Sequence, residues 1–73
     1  MNNDWNLCTL QSPQEGEEVL LTFKNSVGLH VGESTFKDGI YYYIAETNIG
    51  YFEEQYSIPI AWMKKPKPYG INN

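Results

Sequence analysis

The sequence predicts a mainly β protein: a small antiparallel meander sheet of four to five strands with at most one short helical turn. Three observations carry this. Apolar residues recur at every second position in several short runs, the period of a strand with one buried face. Clusters of Pro, Gly, Asn and Asp separate those runs. No segment holds a 3.6-residue period over the length of a helix. The 73 residues allow one domain, 1–73. A domain of this size has a thin core and often needs a staple or a partner.

Along the chain, the first punctuation is Gln11-Ser12-Pro13-Gln14-Glu15-Gly16, a loop. Glu17 to Lys24 then reads as a strand, with Val19, Leu21 and Phe23 on one side and Leu20 on the other. Asn25-Ser26 supplies a reversal. Val27, Leu29 and Val31 alternate with Gly28, His30 and Gly32, a second strand that pairs with the first and runs on toward Phe36. The two glycines remove side chains from one face and mark either a bulge or a place where something packs closely. Asp38-Gly39 is a strong hairpin signal. It leads into Ile40-Tyr41-Tyr42-Tyr43-Ile44-Ala45, the third strand. Of its two faces, the one carrying the β-branched Ile40 and Ile44, with Tyr42 between them, is expected to be the core face.

Glu46 to Gly50 reads as a loop, with Asn48 and Gly50 able to adopt positive φ. The stretch Tyr51-Phe52-Glu53-Glu54-Gln55-Tyr56 has two readings, an irregular strand or a helical turn that packs Phe52 on Tyr56 at i,i+4. Ile58 to Met63 is the last strand, with Ile58, Ile60 and Trp62 on one face. Pro59 cannot donate to a ladder, so that strand should lie at an edge or begin there. Residues 65–73 form an extended C-terminal tail whose prolines hold their predecessors in β or polyproline conformations. Trp5 is expected to cover an open side of the sheet.

Composition excludes several functions. Five lysines, no arginine and nine acids give a net charge of −4. Phosphate-backbone binding needs clustered positive charge, and arginine supplies its bidentate contacts. One cysteine, Cys8, permits no internal disulfide and reads as a small apolar residue. One histidine, His30, reads as a solvated strand residue. One His and one Cys fall short of a zinc set, and Glu15-Gly16-Glu17-Glu18 lacks the spacing of a calcium loop. Glu17 and Glu18 are adjacent on a strand and point to opposite faces, so they cannot form a catalytic pair. No cofactor is implied, and the chain is not expected to be an enzyme. No apolar run approaches a membrane span, and the N-terminus lacks the pattern of a signal peptide. An intracellular location is the expectation.

Binding is what remains. Tyr51, Phe52, Glu53, Glu54 and Tyr56, if exposed, offer aromatic anchors among negative charges, suited to a basic protein surface. The plainer reading makes the same stretch a loop whose aromatics cap the core. Tyr41 and Tyr43 with Lys64, Lys65 and Lys67 would instead make a stacking platform for nucleic acid, which the charge balance disfavours. A further reading is a structural, self-assembling protein that forms a homo-oligomer through an open sheet edge or an exposed tyrosine face.

The two ends of the chain carry a further pattern. Trp5 followed by Pro13-Gln14-Glu15-Gly16-Glu17-Glu18-Val19-Leu20-Leu21, and the close Trp62-Met63-Lys64-Lys65-Pro66-Lys67-Pro68-Tyr69, resemble the DUF551 family of small phage and prophage proteins of unknown function. The resemblance runs from Trp5 to Tyr69 and departs at Lys64-Lys65, where family members usually carry Pro-Leu. It implies no catalytic motif. It implies an accessory protein acting in the cytoplasm of a bacterial host by binding a host protein. A basic nucleic-acid-binding protein or defence nuclease, inhibited in an anti-CRISPR-like way, is the partner class that matches the acidity.

Overall fold

The computed structural model describes residues 4–66, and all regular structure in them is β. Six strands form one antiparallel sheet: β1 (Asn6–Leu7), β2 (Glu18–Asn25), β3 (Gly28–Lys37), β4 (Ile40–Thr47), β5 (Gly50–Gln55) and β6 (Pro59–Lys64). Their order across the sheet is β1-β6-β2-β3-β4-β5. Strands β2 to β5 are the expected meander. Strand β6 does not continue it beside β5 but returns to pair with β2, placing Trp62 opposite Leu21. Pro59 opens β6, where a missing N–H costs least. The part of the tail from residue 67 on lies outside the described residues.

The turns follow their chemistry. Asn25 Oδ1 accepts hydrogen bonds from the Val27 and Gly28 amides at 2.9 and 3.2 Å and closes β2 onto β3. Asp38 and Gly39 both have positive φ, 53° and 80°, as a tight two-residue hairpin turn requires. The loop before β2 is clamped to the end of β3, Gly16 N donating to Phe36 O and Phe36 N to Glu17 O.

The core consists of Val19, Leu21, Phe36, Tyr41 and Trp62, with Cys8, Phe23 and Tyr56 packed against it. Val19 and Leu21 are fully buried, and each is worth roughly 1.5–3 kcal/mol of burial. The Trp62 indole N–H donates to Gln11 O at 2.9 Å, so its one polar atom is satisfied. Trp5 is half-buried just before β1.

One expectation is corrected and one pair of alternatives is decided. The core face of β4 is the tyrosine face: Tyr41 is 6% exposed, whereas Ile44 is 65% exposed. The reason is register. Tyr41 pairs with Phe36 across the β3–β4 turn, and Phe36 shares a face with Ser34, which pairs with the buried Val19. Ile40, Tyr42 and Ile44 therefore fall on the outer face. The segment from Tyr51 to Gln55 contains no helical turn. It is a regular strand that pairs with β4 without interruption from Tyr42↔Gln55 to Thr47↔Gly50.

Gly32 explains how the tyrosine face closes. It faces Leu21 across the ladder, and the Tyr56 side chain fills the space its missing Cβ leaves. The Tyr56 ring stands between Phe23 and Tyr43, with centroids 4.5 and 4.6 Å away. Its hydroxyl donates to Glu33 O at 2.9 Å.

Candidate functional site

Strand β4 pairs with β3 only over Ile40–Tyr42. Beyond Tyr42 its ladder is with β5 alone. The distal part of the β4–β5 hairpin is thus an arm that leaves the body of the sheet. Tyr43 and Tyr56 anchor its base through their ring contact. Past that anchor both faces of the arm meet solvent. Ile44 and Tyr51 are exposed on the outer face, Tyr51 at 71%. On the opposite face Phe52, paired with Ala45, is 44% exposed. Ile49 is exposed at the tip. Ile44, Ile49, Tyr51 and Phe52 thus place exposed apolar side chains on both faces and at the tip of one hairpin.

The arm has one sign of charge. Residues 40–56 contain Glu46, Glu53 and Glu54 and no lysine. Glu53 receives the Lys37 ammonium at 2.6 Å, while Lys37 also stands 5.1 Å from the centre of the Tyr42 ring. That ion pair raises the Lys37 pKa. Among the described residues, no lysine reaches Glu46 or Glu54.

Of the residues singled out from sequence, Tyr51, Phe52, Glu53 and Glu54 are together on this arm and exposed. Tyr56 is half-buried and holds the arm to the body, so its ring is engaged internally. Tyr43 is at the border, with Tyr56 covering one side of its ring. Tyr41 is in the core and presents no face for stacking, because its pairing with Phe36 turns it inward. The lysines proposed to assist it are also engaged: Lys64 bonds Glu17 at 2.9 Å, and Lys65 lies 3.5 and 3.6 Å from Glu18 and Glu33. Lys67 lies outside the described residues. Sequence reasoning passed over Ile44 and Ile49. The first was assigned to the core and the second to a loop, although the apolar residues on both faces of this segment were a readable signal.

A cleft of about 380 Å³ opens where β4 diverges from β3, lined by Ser34, Tyr43, Ile44, Glu53 and Tyr56 with Lys65 at its side. It brings Tyr43, Glu53 and Tyr56 together at the root of the arm. Nothing in it forms a catalytic set. The single histidine, His30, is exposed on β3 with its ring 5.7 Å from Phe23. The Cys8 thiol lies against the core, and burial raises its pKa, which lowers its thiolate fraction. Among the described residues, no three His, Cys, Asp or Glu side chains gather as a metal site, and no helix is long and apolar enough to cross a membrane. Comparison with family models, with curated proteins and with solved structures finds no match.

Proposed function

We propose that this chain is a protein-binding module whose β4–β5 arm docks on a basic surface of a partner. The observation behind it is the arm itself: apolar side chains exposed on both faces of one protruding hairpin whose own charged residues, Glu46, Glu53 and Glu54, are all acidic. Burying Ile44, Tyr51 and Phe52 in a partner would supply the desolvated centre of an interface, and tyrosine and phenylalanine are enriched at such centres. Glu46 and Glu54 would set orientation and speed encounter with a positively charged protein. A nucleic-acid-binding protein or nuclease of a bacterial host is the partner class that this charge and the phage-protein resemblance favour, with inhibition as the outcome of docking.

The test is affinity capture from bacterial lysate with three baits: the natural chain, Tyr51→Ser with Phe52→Ser, and Leu10→Ser. Leu10 is an exposed apolar residue on the loop after β1 and serves as the control. A basic protein held by the natural chain and by the Leu10 variant, and lost by the arm variant, is the expected result. Equal retention by all three baits would refute the arm as the docking element.

A further inference from the structure

Resting on that reading of the arm, we infer that the free edge of β5 takes an extended basic segment of the partner as an added strand, paired main chain to main chain. Strand β5 is the outermost strand at one end of the sheet, with β1 at the other, and its one ladder is with β4. In an antiparallel ladder, alternate residues point their N–H and C=O toward the neighbour and away from it. Both ends of the β4–β5 ladder fix the phase. The two-residue turn closes on the Thr47↔Gly50 pair, and Tyr56 N donates to Tyr41 O at 2.8 Å. Phe52 and Glu54 therefore bond to β4. Tyr51, Glu53 and Gln55 turn their backbone groups outward, three donors and three acceptors in a row.

This edge lacks the usual defences. It has no proline, no lysine and no bulge over Gly50–Gln55. Its charges are two glutamates, one on each face. Pairing with a second copy centred on Glu53 or Glu54 would put like charges directly opposite, which is destabilising, and one centred on Phe52 would give neither glutamate a cation. A strand carrying lysine or arginine at neighbouring positions would instead meet the Glu54 carboxylate on one face and, on the other, Glu53, which Lys37 already pairs. At the opposite end of the sheet β1 is only two residues long, and along the half of β3 that extends past β4 the Glu33 carbonyl already accepts the Tyr56 hydroxyl. Main-chain pairing would give the affinity, and Tyr51 and Phe52 flanking the added strand would give the selectivity.

The experiment titrates the intact chain with the peptide acetyl-Thr-Val-Lys-Lys-Val-Thr-amide and follows amide hydrogen exchange by NMR. The expected result is saturable binding at millimolar peptide, with exchange at Tyr51, Glu53 and Gln55 slowed several-fold and that at Phe52 and Glu54 unchanged. The same peptide N-methylated on alternate residues should not bind, nor should one with glutamate in place of both lysines. No slowing at the three outward amides, or equal binding by the N-methylated peptide, overturns the inference. Glu53→Pro separates this from the arm reading in lysate capture, since it removes an outward N–H and no hairpin bond, with Glu53→Gln as the side-chain control. A partner lost by Tyr51→Ser with Phe52→Ser but kept by Glu53→Pro would leave the arm standing and remove the added strand.

Discussion

Replacing Gly32 with alanine tests the packing that decides which face of the sheet is the core. A Cβ built at Gly32 would lie 2.5 Å from the Tyr56 hydroxyl oxygen, 3.3 Å from Phe23 Cε1 and 3.6 Å from Tyr56 Cζ. Ordinary contact begins near 3.4 Å, so the hydroxyl has to back away by most of an ångström. Tyr56 cannot yield easily, because its ring is held between Phe23 and Tyr43 and its hydroxyl is bonded to Glu33 O. Losing that bond costs about 0.5–1.5 kcal/mol, and disturbing each ring contact costs up to a similar amount. Against this, alanine is favoured over glycine in a strand by roughly 0.5–1 kcal/mol. The net expectation is a destabilisation of about 1–3 kcal/mol, the usual range for overpacking. For a domain of this size that lowers Tm by roughly 4–8 °C per kcal/mol. The decisive arm is the double variant. In Tyr56→Phe the obstructing oxygen is gone and the next tyrosine atom is at van der Waals distance, so Gly32→Ala should be neutral or stabilising by up to about 0.5 kcal/mol there. Urea unfolding of the four proteins in the cycle measures this. Equal destabilisation by Gly32→Ala in both backgrounds would refute the account, since the tyrosine hydroxyl would then not be the obstacle.

Trp62→Ala should cost about 3–5 kcal/mol, a large share of the roughly 4–11 kcal/mol expected for a chain this long. A melting curve like that of the natural protein would remove Trp62 from the core. Tyr41→Phe should leave Tm unchanged or raise it. The buried Tyr41 hydroxyl has no regular hydrogen-bond partner and only the Cys8 thiol beside it, and burial raises its pKa; a loss above about 1 kcal/mol would mean that the hydroxyl makes a bond of ordinary strength. Acid should weaken the fold partly through Glu17. Its carboxylate accepts from the Gln14 amide at 2.9 Å and pairs with Lys64, which lowers its pKa below the ordinary 4.5. A lowered folded-state pKa gives stability that is present above pH 4.5 and is lost as pH falls through the folded value. Thermal melts from pH 6 to pH 2 should therefore fall less steeply for Glu17→Gln, and identical slopes would rule this contribution out.

Much of the architecture was legible one strand at a time. Alternation marked β2, β3 and β4 within a residue or two, and Asp38-Gly39 and Asn25 marked their turns because positive φ and a side-chain acceptor are local requirements. Pro59 correctly announced the start of β6. The acidic and aromatic stretch at Tyr51 to Glu54 was readable as a pattern, but its exposure, which any contact would require, is not stated by sequence.

What local sequence left undecided was facing and partnership. Strand β4 has apolar side chains on both faces, so period-two alternation gave two equivalent solutions, and β-branching favoured the wrong one. The choice was made by pairs distant along the chain: Tyr41 against Phe36, Gly32 against Leu21, and Tyr56 over the gap that Gly32 leaves. The return of β6 to β2 was decided in the same way, by Trp62 meeting Leu21 across forty residues of chain. Strand character resides in each segment's own dihedrals and side chains and can be read from them. Burial is a property of the assembled sheet, which is why the arm and its exposed residues emerged only once the strands were paired.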